Sequence, residues 1–282
     1  MSIFPTKIVL ATHGSEDAGL AATTAVNLAT STGSELHIVD VFPGPEYVHP
    51  YYETHFPEAA ERLRREARKG RQEVLDERVE RIGELGGSVA QTHIREGETD
   101  TEIVTLAEEL EAGLIAIGSS GLGGLRRALM GNVADSVVRH AHCPVMVVRA
   151  EPVEFPTKIL VATDRSREAK LAATTAADLA KSTNSELHVV HVGFEQSRDE
   201  AQKELEEEVD MIRESGAQDI QAHLEFGMPD TAIVEMAEEL GAGLIVMGSR
   251  GLGGVRRALL GSISDSVVRH APCPVLVVRQ EE

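Results

Sequence analysis

The chain has 282 residues, 46 acidic against 27 basic, and a formal charge of -19. That length allows one large domain or two ordinary ones, each able to bury its own core, and the charge argues against a nucleic-acid backbone or an anionic membrane surface as the main partner. Of the basic residues 21 are Arg and 6 are Lys, with Trp absent; an acidic, lysine-poor surface stays solvated in concentrated salt, so a salt-loving host and an ordinary acidic cytoplasmic protein both fit.

The first residues, MSIFPTKIVLATHG, carry neither a basic leader nor a cleavable apolar core. No apolar run approaches the roughly 18 residues a membrane span needs, so the expected location is the cytoplasm and no membrane partner is expected. The segment from Phe4 to Val41 returns from Phe155 to Val192 at an offset of 151, and residues 121–149 return as 251–279 at an offset of 130, with 22 of 29 positions identical. The chain is therefore a duplication, with tandem domains expected over 1–150 and 151–282.

The two offsets differ by 21 residues, which places an insertion in the first copy within 43–70. Its Pro, Gly and Tyr content reads as an ordered surface loop leading into a charged helix. His49 and His55 stand there near Tyr47, Tyr51 and Tyr52, and a metal or ligand contact by them is the minor reading. The linker RAEPVEFP, 149–156, is too short to let the halves wander and predicts that they pack together. Cys143 and Cys273 occupy matching places, each followed by Pro, and read as small buried thiols in a reducing compartment.

In the second copy KILVAT, ELHVVHV, IQAHLEF, GLIVMGS and PVLVVR are apolar runs of strand length. SREAKLAATTAADLAKS and DTAIVEMAEELG between them have helical spacing, the latter with a terminal Gly. Strands buried on both faces and separated by helices predict an α/β fold, a parallel sheet covered on each side. Ligands on such sheets bind at the carboxyl ends of strands, where the strand order switches direction.

The glycine-rich loop after the fourth strand begins with Gly248 and Gly251, and Gly261 and Ser262 open the helix SISDSVVRHA. Glycine lets backbone approach a ligand closely, and unpaired amides at a helix start favour an anion. A phosphate cradle follows. Ser262 with Asp265 also has the pattern of a helix cap with an acidic third position, as does Asn132 with Asp135 in the first copy. After the first strand Asp164 stands at the sheet's carboxyl edge, where a carboxylate could accept from two ribose hydroxyls or make a turn; the first copy has His13 there, which is no two-oxygen acceptor.

Arg126, Arg127, Arg250, Arg256 and Arg257 could reach phosphates from the loop or serve in salt bridges. The lysine-bearing P-loop pattern and G-x-G-x-x-G are missing. His140, His142 and His270 read as cations near helix carboxyl ends, and no Ser/His/Asp or Cys/His order recurs in both copies, so no catalytic residue is assigned.

G-x2-G-x9-G-[ST], the aspartate after the first strand and the ending HAPCPVLVVR resemble the universal stress protein family, as a tandem pair covering essentially the whole chain. The resemblance implies a Rossmann-like five-stranded parallel sheet in each domain, order 3-2-1-4-5, and a bound ATP, AMP or ADP, with Mg2+ as its companion. It implies that Asp164 holds the ribose, the Val192 main chain reads the adenine edge, Gly248, Gly251, Gly261 and Ser262 surround the phosphates and Gly227 lines the pocket. The adjoining Ala162, Thr163, Met247, Arg250 and Ile263 are counted in the same site.

The matching first-copy positions are Thr12, His13, Val41, Gly97, Gly118, Gly121, Gly131 and Asn132. His13 and Asn132 depart from the pattern, so the second copy is the preferred site. The resemblance further implies antiparallel pairing of the last strands, 144–149 with 274–279, with a homodimer left open. The expected function is nucleotide binding by a stress-response sensor or regulatory module; a slow ATP hydrolase and a nucleotide-free scaffold are the alternatives.

Overall fold

The computed structural model describes residues 4–12, 16–42, 55–119, 130–149, 157–214, 217, 219–251 and 260–279. The first half runs β1 (Lys7–Ala11), α1 (Glu16–Thr32), β2 (Glu35–Phe42), α2 (Pro57–Glu84), β3 (Gln91–Glu96), α3 (Thr99–Glu109), β4 (Leu114–Gly118), α4 (Asn132–His140) and β5 (Val145–Val148). The second runs β6 (Lys158–Thr163), α5 (Arg167–Thr183), β7 (Glu186–Gly193), α6 (Arg198–Glu214), β8 (Ile220–Phe226), α7 (Pro229–Leu240), β9 (Leu244–Gly248), α8 (Ser262–His270) and β10 (Val275–Val278).

Central strands are apolar at every position because helices cover both of their faces: LIAIG of β4 and LIVMG of β9 are wholly buried. The outer strands β3 (QTHIRE) and β8 (IQAHLEF) are only partly covered and carry polar residues. Helix ends follow local chemistry. Ser166 caps α5, its Oγ accepting from the Ala169 amide at 3.1 Å, and Asn184 and Gly241 close α5 and α7 in the left-handed region. The charged helix expected from the 43–70 insertion is α2, which begins at Pro57; residues 43–54 lie outside the described residues.

All ten strands form one sheet in the order β3-β2-β1-β4-β5-β10-β9-β6-β7-β8. Pairing is parallel within each half and antiparallel at the seam, where Val275, Leu276 and Val277 face Val147, Met146 and Val145. The seam leaves neither apolar strand as an open edge. Ile8, Leu36, Leu114, Met146, Ile159 and Leu276 belong to one core, under α1, α2, α5 and α6, and Val39, Ile103, Val145, Ile233 and Val275 to another on the opposite face. Both cores cross the seam.

The helices beside the seam are held reciprocally. Arg279 of the second half donates to the Val138 carbonyl at the end of α4 at 2.7 Å, and Arg149 of the first half donates to the Val268 carbonyl near the end of α8 at 3.3 Å. Each guanidinium meets helix carbonyls that have no acceptor role inside the helix. Arg139 chelates Asp135 at 2.7 and 2.9 Å and Arg269 chelates Asp265 at 2.8 and 2.9 Å, while Arg269 lies 3.8 Å from Asp135 and Arg139 4.0 Å from Asp265 across the seam.

Cys143 and Cys273 are buried cysteines, and burial pushes the Cys273 thiol up to about 12. At pH 8 Cys273 is expected to resist iodoacetamide until the protein is unfolded, as mass spectrometry of the alkylated peptide would show. Leu276→Ala is expected to remove about 2–5 kcal/mol of stability, read from the urea midpoint, because its side chain fills the core at the seam.

Candidate functional site

In each half the strand order changes direction between the first strand and the fourth, and the second half opens a hollow there. Ala162, Thr163 and Asp164 at the end of β6, Val190 and Val192 of β7, and Met247 and Gly248 of β9 form its floor. Ala169 of α5, Pro229 and Ile233 of α7, Arg250, Gly251, and Ile263 and Ser264 of α8 form its walls. The free volume is about 110 Å³, small beside the roughly 300–1,000 Å³ of ligand clefts. It can take a small flat group, with its open side left for the rest of a longer ligand.

The three described glycines of the loop meet different surroundings. A Cβ at Gly248 would come within 2.9 Å of Glu168 Cβ and 3.0 Å of the Ala169 backbone nitrogen, so this glycine lets α5 pack on the end of β9. A Cβ at Gly251 would stand 2.3 Å from Asp164 Oδ2, so the carboxylate lies directly over the bare Cα. At Gly261 the nearest atom would be the Ser249 carbonyl oxygen at 3.4 Å, an ordinary contact. Gly248 and Gly251 thus clear protein neighbours.

The helix-cap pattern read at Ser262 and Asn132 is not realised. Gly261 and Gly131 are the N-caps, Ser262 and Asn132 are the first helical residues, and no side chain caps either helix. Asp265 and Asp135 are drawn instead to Arg269 and Arg139 one turn on, because bidentate charged pairing outcompetes a single bond to an amide. Among the described residues the amides of Ser262, Ile263 and Ser264 have no acceptor. The Gly261 amide itself donates to Ser249 O at 2.8 Å.

Asp164 is oriented by its own turn: Oδ1 accepts from the Ser166 amide at 3.0 Å. Arg250 is less free than its sequence position suggests, since its guanidinium lies 3.3 Å from Glu168. Its carbonyl accepts from the Ser166 hydroxyl at 3.4 Å, stitching the loop to the β6–α5 turn. The Ser264 hydroxyl donates to Gly248 O at 2.9 Å, fastening α8 to the end of β9.

Two adjustments to the expected lining follow. Gly227 follows β8 with φ of 119° and does not line the hollow itself, which the next helix lines with Pro229 and Ile233. Gly261 and Ser262 do not line the hollow with side chains; they contribute backbone beside Ile263 and Ser264 at the start of α8. Residues that sequence reasoning missed are Ala169, Val190, Pro229, Ile233 and Ser264. Ser264 and Pro229 carried a usable signal, standing where the first copy has Ala134 and Thr99.

In the first half Thr12 follows β1 with its hydroxyl donating to Val39 O at 3.2 Å, and the Thr12 hydroxyl oxygen accepts from Arg78. Arg78 and Arg71 approach the fully buried Asp40 at 3.8 and 3.2 Å. Burial, opposed by Asp40, lowers the Arg78 pKa from its ordinary value. Val41 lies near the end of β2, Gly97 follows β3 with its amide on Phe42 O, Gly118 ends β4, and the Gly131 amide donates to Ser119 O at 2.7 Å. His13, Gly121, Arg126, Arg127, Arg256, Arg257, His49 and the three tyrosines lie outside the described residues.

Of the three histidines expected near helix ends, His140 and His270 end α4 and α8 and each bonds, through Nδ1, the carbonyl four residues back at 2.8 Å, while His142 lies two residues past α4. Sequence reasoning overlooked a repeated pair, His37 with His93 at 3.2 Å and His188 with His223 at 3.0 Å. Burial lowers the pKa of His93, His188 and His223. These rings form polar bridges between neighbouring strands, each joining a buried ring to a half-buried one.

The family model described as universal stress protein matches residues 5–149 and again 156–279. The chain belongs to the universal stress protein family. A family member from Staphylococcus haemolyticus is 37% identical over 140 residues, covering 44% of this chain and 85% of its own. The crystal structure of a universal stress protein from Archaeoglobus fulgidus is 30% identical, covers 97% of this chain and 98% of its own, and superposes with a TM-score of 0.75. Another universal stress protein, solved in complex with cAMP, is 31% identical over 44% of this chain and 97% of its own, with a TM-score of 0.39.

The two outer glycines of the family motif predict opposite results. Gly248→Ala should cost about 1–3 kcal/mol through overpacking against α5, whereas Gly261→Ala, at φ of -62° with no close neighbour, should stay within about 0.5 kcal/mol. Urea titration of the two variants distinguishes them.

Proposed function

We propose that the second half binds an adenine nucleotide, ATP, ADP or AMP, and that the chain acts as a nucleotide-responsive sensor or regulatory module in the stress response. The observation that carries this reading is the convergence on one hollow of the Asp164 carboxylate and the uncapped first turn of α8. An apolar floor of Ala162, Val190, Val192 and Met247, with Ile233 beside it, suits a base. Asp164 offers a two-oxygen acceptor to sugar hydroxyls. The amides of Ser262, Ile263 and Ser264 supply donors and the positive end of a helix dipole to phosphate.

Among the described residues no group of three or more His, Cys, Asp or Glu could hold a metal. Mg2+ accompanying ATP would therefore be carried mainly by the phosphates, the usual arrangement for that ion. No helix among the described residues is long and apolar enough to cross a membrane. The first half, with Thr12 tied to Arg78 and Asn132 at its helix start, is assigned a supporting role.

Mass spectrometry of the supernatant from denatured protein is expected to reveal an adenine nucleotide, and calorimetric titration of stripped protein with ATP and Mg2+ a dissociation constant below millimolar. Asp164→Ala and Gly261→Asp should each weaken binding tenfold or more, the second by placing a carboxylate where the phosphates belong. Affinity unchanged in both variants would overturn the assignment. For the sensor role, hydrogen exchange in α8 and along the seam should slow on binding; exchange identical with and without nucleotide would remove that role.

A further inference from the structure

Arg165 follows Asp164 and adopts φ of 66°, in the left-handed region that a side chain seldom occupies. The matching first-copy residue is Gly14, to which that region is open without strain. An arginine held there needs compensation, and α6 provides it. Its guanidinium donates to Glu204 Oε1 at 2.6 Å and to Glu207 Oε2 at 2.9 Å.

The same reversal of the chain gives the turn its internal bonds. The Arg165 amide reaches back to Thr163 Oγ1 at 3.2 Å, and the next amide, Ser166, reaches Asp164 Oδ1 at 3.0 Å. With Oδ2 lying over Gly251, the carboxylate is fixed in direction from the backbone side. Beneath the turn, His191 bonds Thr163 O at 3.2 Å and lies 3.5 Å from Glu204. The buried Glu208, its pKa raised by desolvation and held back by its bond to Thr163, completes the support.

The first half differs at three matching positions, though Glu77 matches Glu207. Asp40 stands where the second half has His191, Arg78 where it has Glu208, and Val74 where it has Glu204. Among the described residues, Arg165 is the left-handed residue anchored to α6, and it stands beside the carboxylate assigned to the sugar.

We propose that Arg165 is the positioning residue that makes the second-half site selective for ribonucleotides, its ion pairs to Glu204 and Glu207 locking the Asp164 carboxylate toward the sugar hydroxyls. This rests on the nucleotide-binding reading above. A carboxylate held in one direction gains a charge-assisted bond from the 2′-hydroxyl; one free to rotate toward solvent gains less, because ordering it then costs part of that bond.

The test compares ATP and 2′-deoxy-ATP, each with Mg2+, by calorimetry. Wild-type protein is expected to prefer the ribonucleotide by about tenfold or more. Arg165→Gly keeps the left-handed backbone available and deletes the anchor, so its melting temperature should stay within a few degrees while the preference falls below about threefold. The double variant Glu204→Gln, Glu207→Gln should lose the preference as well, with Arg165 intact. A preference retained in Arg165→Gly overturns the role of Arg165 and leaves the site assignment standing; wild-type protein that binds neither nucleotide overturns the site assignment and the role together.

Discussion

The antiparallel contact between β5 and β10 governs the rest of this molecule. Each half ends in a strand of four buried, wholly apolar residues, and such a strand left at the edge of a sheet would expose a row of unpaired backbone groups. Pairing the two removes both edges at once and makes a single ten-stranded sheet. It also fixes the position of α4 and α8, whose first residues stand at the ends of the glycine loops. Arg149 and Arg279 then reach across to satisfy carbonyls of the opposite half's helix. The helix whose amino end faces the hollow is thereby held at its carboxyl end by a residue of the other domain.

Duplication gave both halves the same scaffold, and their polar interiors then diverged. At the ends of β1 and β6, equivalent threonines meet oppositely charged surroundings. In the first half Asp40 is enclosed by Arg71 and Arg78, and Arg78 also donates to Thr12. In the second, Glu204, Glu207 and Glu208 of α6 surround His191 and Arg165. A buried charge tolerates replacement only with its partners, so such networks change as units. The hollow with Asp164, Gly251 and Ser264 belongs to the second arrangement, while the first half contributes the seam and the arginine on α8.

Much of this was legible in the residues themselves. Apolar runs of four to eight separated by helical patterns specify a covered parallel sheet, and the repeat at two offsets specifies that it occurs twice. Asp164 could be singled out because it follows a strand at the edge where such sheets bind ligands. The cap read at Ser262 and Asn132 failed for a reason also local in sequence. The aspartate at the third position has an arginine four residues on, and a bidentate salt bridge won. The contacts of Gly248 and Gly251 were not legible, because the atoms they avoid, on Glu168 and Asp164, come from another stretch of chain.

By itself the sequence determined what depends on near neighbours: strand and helix periods, the doubled architecture, the glycine that closes α7 at Gly241, and the residue types at the carboxyl edge. Tertiary structure alone decided which of those residues share a hollow, which glycine faces a helix and which a carboxylate, and why an arginine occupies a backbone region fit for glycine at 165. The reason is physical. Periodicity and turn preference are set by atoms within a few residues, whereas the partners of Arg165, Ser264 and Arg149 are brought within reach only when distant segments pack.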